Sequence, residues 1–120
     1  MKWIMKLKII ETKKFQKLKK ALFKYSSISV EDLEYIKKTF ATELFKNPSI
    51  RPHKIKCGKD FLISLTIPNT QYRILCYLVC EPKVAIFGWI GTHREYEKII
   101  KSKKNCKDYI FDCDEIIDLF

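Results

Sequence analysis

The stretch that most constrains this chain is residues 71–100, QYRILCYLVCEPKVAIFGWIGTHREYEKII. Two apolar runs, Tyr72 to Cys80 and Val84 to Ile90, flank Glu81-Pro82-Lys83. Apolar runs of this length around turn residues read as two strands of a hairpin. A polar cluster, Thr92 to Lys98, follows at once. Antiparallel pairing then brings Arg73, near the start of the first strand, and His93, just past the end of the second, to one end of the sheet. A permanent cation and a titratable imidazole stand there side by side, with Tyr96 and Lys98 close behind.

Elements upstream follow from periodicity. Trp3 to Ile10 alternates, with Trp3, Met5, Leu7 and Ile9 on one face and Lys6 and Lys8 on the other, the mark of a half-buried strand. Thr12 is placed to cap a helix in which Phe15, Leu18, Leu22 and Tyr25 recur at helical spacing, with lysines on the outer face. Ser29 caps a second helix, with Glu31 and Asp32 at its positive end and Val30, Leu33, Ile36, Phe40 and Leu44 as its buried stripe. Asn47-Pro48 ends it. A basic connector, Arg51 to Lys59, leads to a strand from Phe61 to Ile67, turned at Pro68-Asn69-Thr70. A short helix from His93 to Ser102 follows the hairpin, with Tyr96, Ile99 and Ile100 inward.

The predicted order is β-α-α-β-β-β-α, an α+β domain with a mainly antiparallel four-stranded sheet and the helix pair on one face. The opposite face carries Ser64, Thr66, Arg73 and Tyr77 and is expected to be open and basic. The tail after Cys106 spaces Tyr109, Ile110, Ile116, Ile117 and Phe120 among acids, as a final helix or as a shield for that basic face.

At 120 residues, with no internal repeat, a single domain spans 1–120. Residues 1–107 hold all 24 Lys and Arg against 9 acids, a net +15, whereas 108–120 hold five acids and no base. A basic body of this size suits a polyanionic partner, nucleic acid first, although a lysine-rich surface alone would look the same. No apolar run reaches membrane-spanning length and no signal-peptide core precedes the first strand, so a cytoplasmic protein without membrane contact is expected. The five cysteines form no CxxC pair, and neither histidine is spaced with them as a zinc ligand, so reduced, buried thiols and no metal or cofactor are expected.

The segment Tyr72 to Ile99, above all IGTHREYEKI, resembles the C-terminal motif of HigB-type toxins in the RelE/ParE toxin–antitoxin superfamily. The element order is similar to that superfamily's as well, over roughly residues 3–100. The resemblance implies a RelE-like fold and a ribosome-dependent mRNA endonuclease held inactive by a cognate antitoxin in a hetero-oligomer. Under it, Arg73, His93, Tyr96 and Lys98 match the family's catalytic positions. Lys54 and Lys56 match its RNA-gripping basic pair, with Arg94 and His53 beside RNA. Many relatives carry an arginine on the second strand where this chain has Ser64 or a neighbour, and the acidic tail 108–120 is not part of the pattern.

These residue types suit RNA cleavage without a metal, in which the 2′-hydroxyl attacks the adjacent phosphate. Arginine stabilises the charge that builds on the phosphoryl oxygens, histidine moves protons near neutral pH, and tyrosine orients, relays or stacks. Plainer roles compete: Arg73 can pair with Glu95 or Glu97, His93 can cap the last helix, Tyr96 can simply pack, and His53 can be incidental. Two other functions remain open, a ParE-like toxin that binds and inhibits DNA gyrase, and a non-catalytic nucleic-acid-binding module.

Overall fold

The computed structural model describes residues 7–80 and 84–114. Their order is β1 (Lys8–Glu11), α1 (Lys13–Tyr25), α2 (Val30–Glu43), two 3-10 turns (Leu44–Lys46 and Pro48–Ile50), β2 (His53–Cys57), β3 (Asp60–Thr66), β4 (Tyr72–Val79), β5 (Val84–Thr92), α3 (His93–Ile100), α4 (Lys103–Cys106) and a 3-10 turn (Lys107–Tyr109). The sheet has five strands in the order β1-β5-β4-β3-β2. All neighbours are antiparallel except β1 and β5, which run parallel. The predicted architecture holds with one strand more than expected. The basic connector contributes β2, which pairs with β3 from His53 opposite Ser64 to Cys57 opposite Asp60. Lysines hid it, because an edge strand needs only one buried face and tolerates charge on the other. The expected start of the first strand at Trp3 and the turn at Glu81-Pro82-Lys83 lie outside the described residues.

Both long helices start where their caps predict. The Thr12 side chain accepts from the Phe15 amide. Ser29 and Asp32 form a reciprocal capping box. The helix pair packs on one sheet face around Phe15, Leu33, Ile36, Phe40, Ile63, Leu65, Ile74 and Phe87. Phe15 meets Phe87 edge to face at 5.7 Å between ring centroids. Two residues of the predicted stripes fall outside this core, since Tyr25 and Val30 are exposed. Each lies at a helix end, Tyr25 last in α1 and Val30 first in α2.

The second face differs from expectation. It is covered, not open. Leu62, Leu75 and Trp89 from the sheet pack there with Tyr96 of α3, Cys106 of α4 and Tyr109 of the tail. Ser64 is 0% and Thr66 7% exposed. A bulge shapes this face: Leu75 pairs with Trp89 but Cys76 with Phe87, so Gly88 is the extra residue on β5. It turns Phe87 into the first core and Trp89 into the second. A β-carbon at Gly88 would stand 3.2 Å from Tyr109 Cδ1, so glycine also lets the tail lie against the strand. Through Phe111 the tail therefore lies as a shield over this face, while the alternative of a final helix, with Ile116, Ile117 and Phe120, falls on residues outside those described.

The tail also overturns the expectation of reduced thiols. Cys57 is bonded to Cys106, with 6.1 Å between α-carbons, and Cys80 to Cys113, with 5.2 Å. Only Cys76 is free, and burial pushes its thiol pKa up. Chains that fold back over a sheet bring distant cysteines together, and linear spacing does not reveal such pairs. Among the described residues no helix is long and apolar enough to cross a membrane.

Candidate active site

The β4–β5 pairing brings Arg73 and His93 together as predicted. Tyr72 lies opposite Thr92 and Arg73 opposite Gly91. The His93 amide donates to the Gln71 carbonyl at 2.8 Å, which ties the start of α3 to the start of β4. Thr92, not His93, caps α3, in a capping box with Glu95. His93 is thereby released for other work. Its Nδ1 lies 3.4 Å from Glu97 Oε1, one helical turn on, which aims the ring and leaves Nε2 facing away from the carboxylate.

Arg73 pairs with neither Glu95 nor Glu97. Its guanidinium donates to the carbonyls of Tyr72 at 3.2 Å and Thr70 at 3.5 Å. A carbonyl carries no net charge, so the cation remains available to an anion. Arg73 and His93 line an open cleft of about 850 Å³ at this end of the sheet, with Arg51, Thr66, Thr70 and Gln71 among the other walls.

Tyr96 packs in the second core, with its ring centroid 5.7 Å from that of His93. Its hydroxyl reaches the same end of the sheet and stands 3.5 Å from His53 Nε2. Burial raises the phenol pKa, with Glu97 adding to the rise, while the Ser64 hydroxyl and the Arg73 charge oppose it. The net effect keeps Tyr96 a neutral proton donor. Ser64 Oγ, buried beside it, has no hydrogen-bond partner of good geometry among the described residues. His53 Nδ1 is 3.1 Å from the Arg51 carbonyl. A carbonyl can only accept, so Nδ1 is the donor in that contact, and in the neutral ring Nε2 is an acceptor facing the phenol.

The other candidate residues stand apart from this group. Lys98 is exposed on α3, roughly 200° round the helix from Tyr96, and shares its outer side with Arg94. Lys54 and Lys56 alternate with His53 along β2 and so project from the opposite face of the strand. Lys54 Nζ lies 5.9 Å from the ring centroids of both Phe45 and Phe61. The tertiary structure thus unites Arg73, His93, Tyr96 and His53, and adds Arg51, which sequence patterns did not single out. Its only linear signal was membership of the basic run that follows Pro48.

No protein-family model and no curated protein matches the chain. Solved structures do. A metal-bound toxin from Helicobacter pylori is similar at 22% identity and a TM-score of 0.63, over 74% of this chain and 97% of that one. The DinJ-YafQ complex from E. coli, described in a second structure as a toxin–antitoxin complex, matches at 17% identity and a TM-score of 0.61, over 74% and 96%. An archaeal RelE-RelB complex from Pyrococcus horikoshii matches at 15% and 0.57, over 73% and 96%. At such identities the likeness concerns the backbone, and about a quarter of this chain has no counterpart in those structures. The chain has a RelE-like α+β fold, with N-terminal helices on a five-stranded, mostly antiparallel sheet and a short C-terminal helix beyond it.

Proposed function

We propose that this protein is the toxin of a type II toxin–antitoxin pair, of HigB type, and that it cuts mRNA on the ribosome. The observation that carries the reading is the meeting of Arg73, His93, Tyr96 and His53 at one end of the sheet, with Arg73 held by uncharged carbonyls.

The chemistry follows from the groups. A base removes the proton of the RNA 2′-hydroxyl, whose oxygen then bonds to phosphorus. Negative charge builds on the non-bridging oxygens, where Arg73 stabilises it through charge-assisted hydrogen bonds. The bond from phosphorus to the 5′-oxygen breaks, and a general acid protonates that oxygen, which leaves a 2′,3′-cyclic phosphate. His93, aimed by Glu97, takes one proton-transfer role. The Tyr96 phenol, backed by His53 Nε2, orients the ribose or passes the second proton. Lys98, Arg94, Lys54 and Lys56 contribute distant phosphate contacts. The partner is a cognate antitoxin whose acidic segment neutralises part of the basic surface, a reading supported by the DinJ and RelB complexes of the structural neighbours.

Purified protein added to a cell-free translation reaction tests this by mapping of mRNA 5′ ends. New ends confined to translated message, and lost in His93→Ala, are expected. Intact message with the wild-type protein would refute the nuclease reading.

A further inference from the structure

Arg51 has no role in the chemistry above, yet the fold takes unusual care over its position. It follows the 3-10 turn Pro48–Ile50, which three features pin down. The Asn47 side chain accepts from the Ser49 amide, the Arg51 amide donates to the Pro48 carbonyl, and Ile50 is fully buried in the first core. The Arg51 backbone is left-handed, at φ 44° and ψ 55°. That conformation costs a non-glycine residue about 1 kcal/mol or more, so the surroundings impose it. Its carbonyl is also the group that orients His53.

The side chain is exposed and lines the cleft with Arg73 and His93. Among the described residues, no carboxylate is in the walls of that cleft. Among the described residues, no acid lies within ion-pair distance of Arg51 or Arg73. Two permanent cations around one concave space without a counterion raise each other's cost, and an anion between them relieves it. A phosphodiester fits, because two guanidinium groups can each hold one of its non-bridging oxygens while Thr66 and Thr70 offer hydroxyls.

We propose that Arg51 is a second phosphate-binding residue of the cleft, which holds single-stranded RNA in register with Arg73 and His93. This inference rests on the RNA-cleaving reading for its biological meaning but not for its measurement. The probe is a fluorescent oligoribonucleotide with 2′-O-methyl groups, which binds but cannot be cut, titrated by anisotropy over a range of salt. Arg51→Gln should weaken binding about tenfold. It should also lower the slope of log affinity against log salt by roughly 0.7, the single-strand value for one phosphate contact. Arg51→Lys should restore the slope. Arg51→Gly, which accepts the left-handed backbone, should bind as poorly as Gln without loss of thermal stability. In the cleavage assay the Gln variant should raise KM more than it lowers kcat.

Gln binding within twofold of wild type with an unchanged slope overturns the assignment, as does wild-type protein that binds no RNA. A wild-type protein that binds RNA through Arg51 but cuts no message refutes the nuclease reading and leaves the Arg51 site standing.

Discussion

Replacing Cys57 and Cys106 together by alanine should cost this domain much of its stability. The bond joins the end of β2 to the end of α4 across 49 positions of sequence. Loop-closure entropy for a ring of that length gives roughly 4 kcal/mol at 25 °C. Both cysteines are buried in the second core, so alanine leaves small gaps that add to the loss. In a chain of 120 residues, a loss of about 4 kcal/mol corresponds to a fall in Tm of roughly 16 °C. The bond from Cys80 to Cys113 spans 33 positions and overlaps the first ring, so the two contributions do not simply add. The assay is thermal unfolding followed by circular dichroism, with and without reductant, beside thiol counting in denaturant. Oxidised wild type should show one thiol after denaturation, Cys76, and reductant should lower its Tm at least to that of the alanine pair. Five thiols in protein held in an oxidising glutathione buffer, or an alanine pair within about 3 °C of oxidised wild type, would refute the reasoning. The same count on protein taken straight from cells tests the cytoplasmic expectation, since a reducing cytosol keeps such pairs open.

Two further predictions concern packing and charge. A β-carbon at Gly91 would lie 2.5 Å from Trp89 Cζ2 and 3.1 Å from Glu95 Oε1. Gly91→Ala should therefore destabilise the fold by about 1–3 kcal/mol, because the buried indole has nowhere to go, and should shift α3 with His93 and Tyr96; unchanged Tm and activity would contradict this. Glu11 is partly buried, which raises its carboxyl pKa, but Lys19 at 2.6 Å and Lys37 outweigh burial and bring it below the usual value. A lowered folded pKa stabilises the protein above the unfolded carboxylate range and is lost as pH falls through the folded value. Glu11→Gln should lower Tm at pH 7 and flatten its decline in acid, and equal declines in both proteins would sink the argument.

Much of the candidate site was legible because it lies close in sequence. Arg73 and His93 meet through one hairpin, and pairing two adjacent strands fixes which residues share an end. The His93–Glu97 contact is an i,i+4 pair on one helix and so was implicit in the spacing. His53 was harder. It reaches Tyr96 only because β2 exists, and its lysines made that edge strand look like a loop. Arg51 was hidden for a similar reason, since a left-handed residue after a 3-10 turn has no periodic signature.

Local chemistry in the chain determined the caps at Thr12 and Ser29, the helix pair, the central strands and the placing of Arg73 beside His93. Periodicity and hydrogen-bond competition act within a few residues, so they are written in the linear order. Tertiary structure alone decided that the second face is closed, that Cys57 finds Cys106 and Cys80 finds Cys113, that Arg51 lines the cleft, and that His53 meets Tyr96. Those contacts span tens of residues. They exist because Leu62, Leu75 and Trp89 left an apolar face that only α3, α4 and Tyr109 were free to bury.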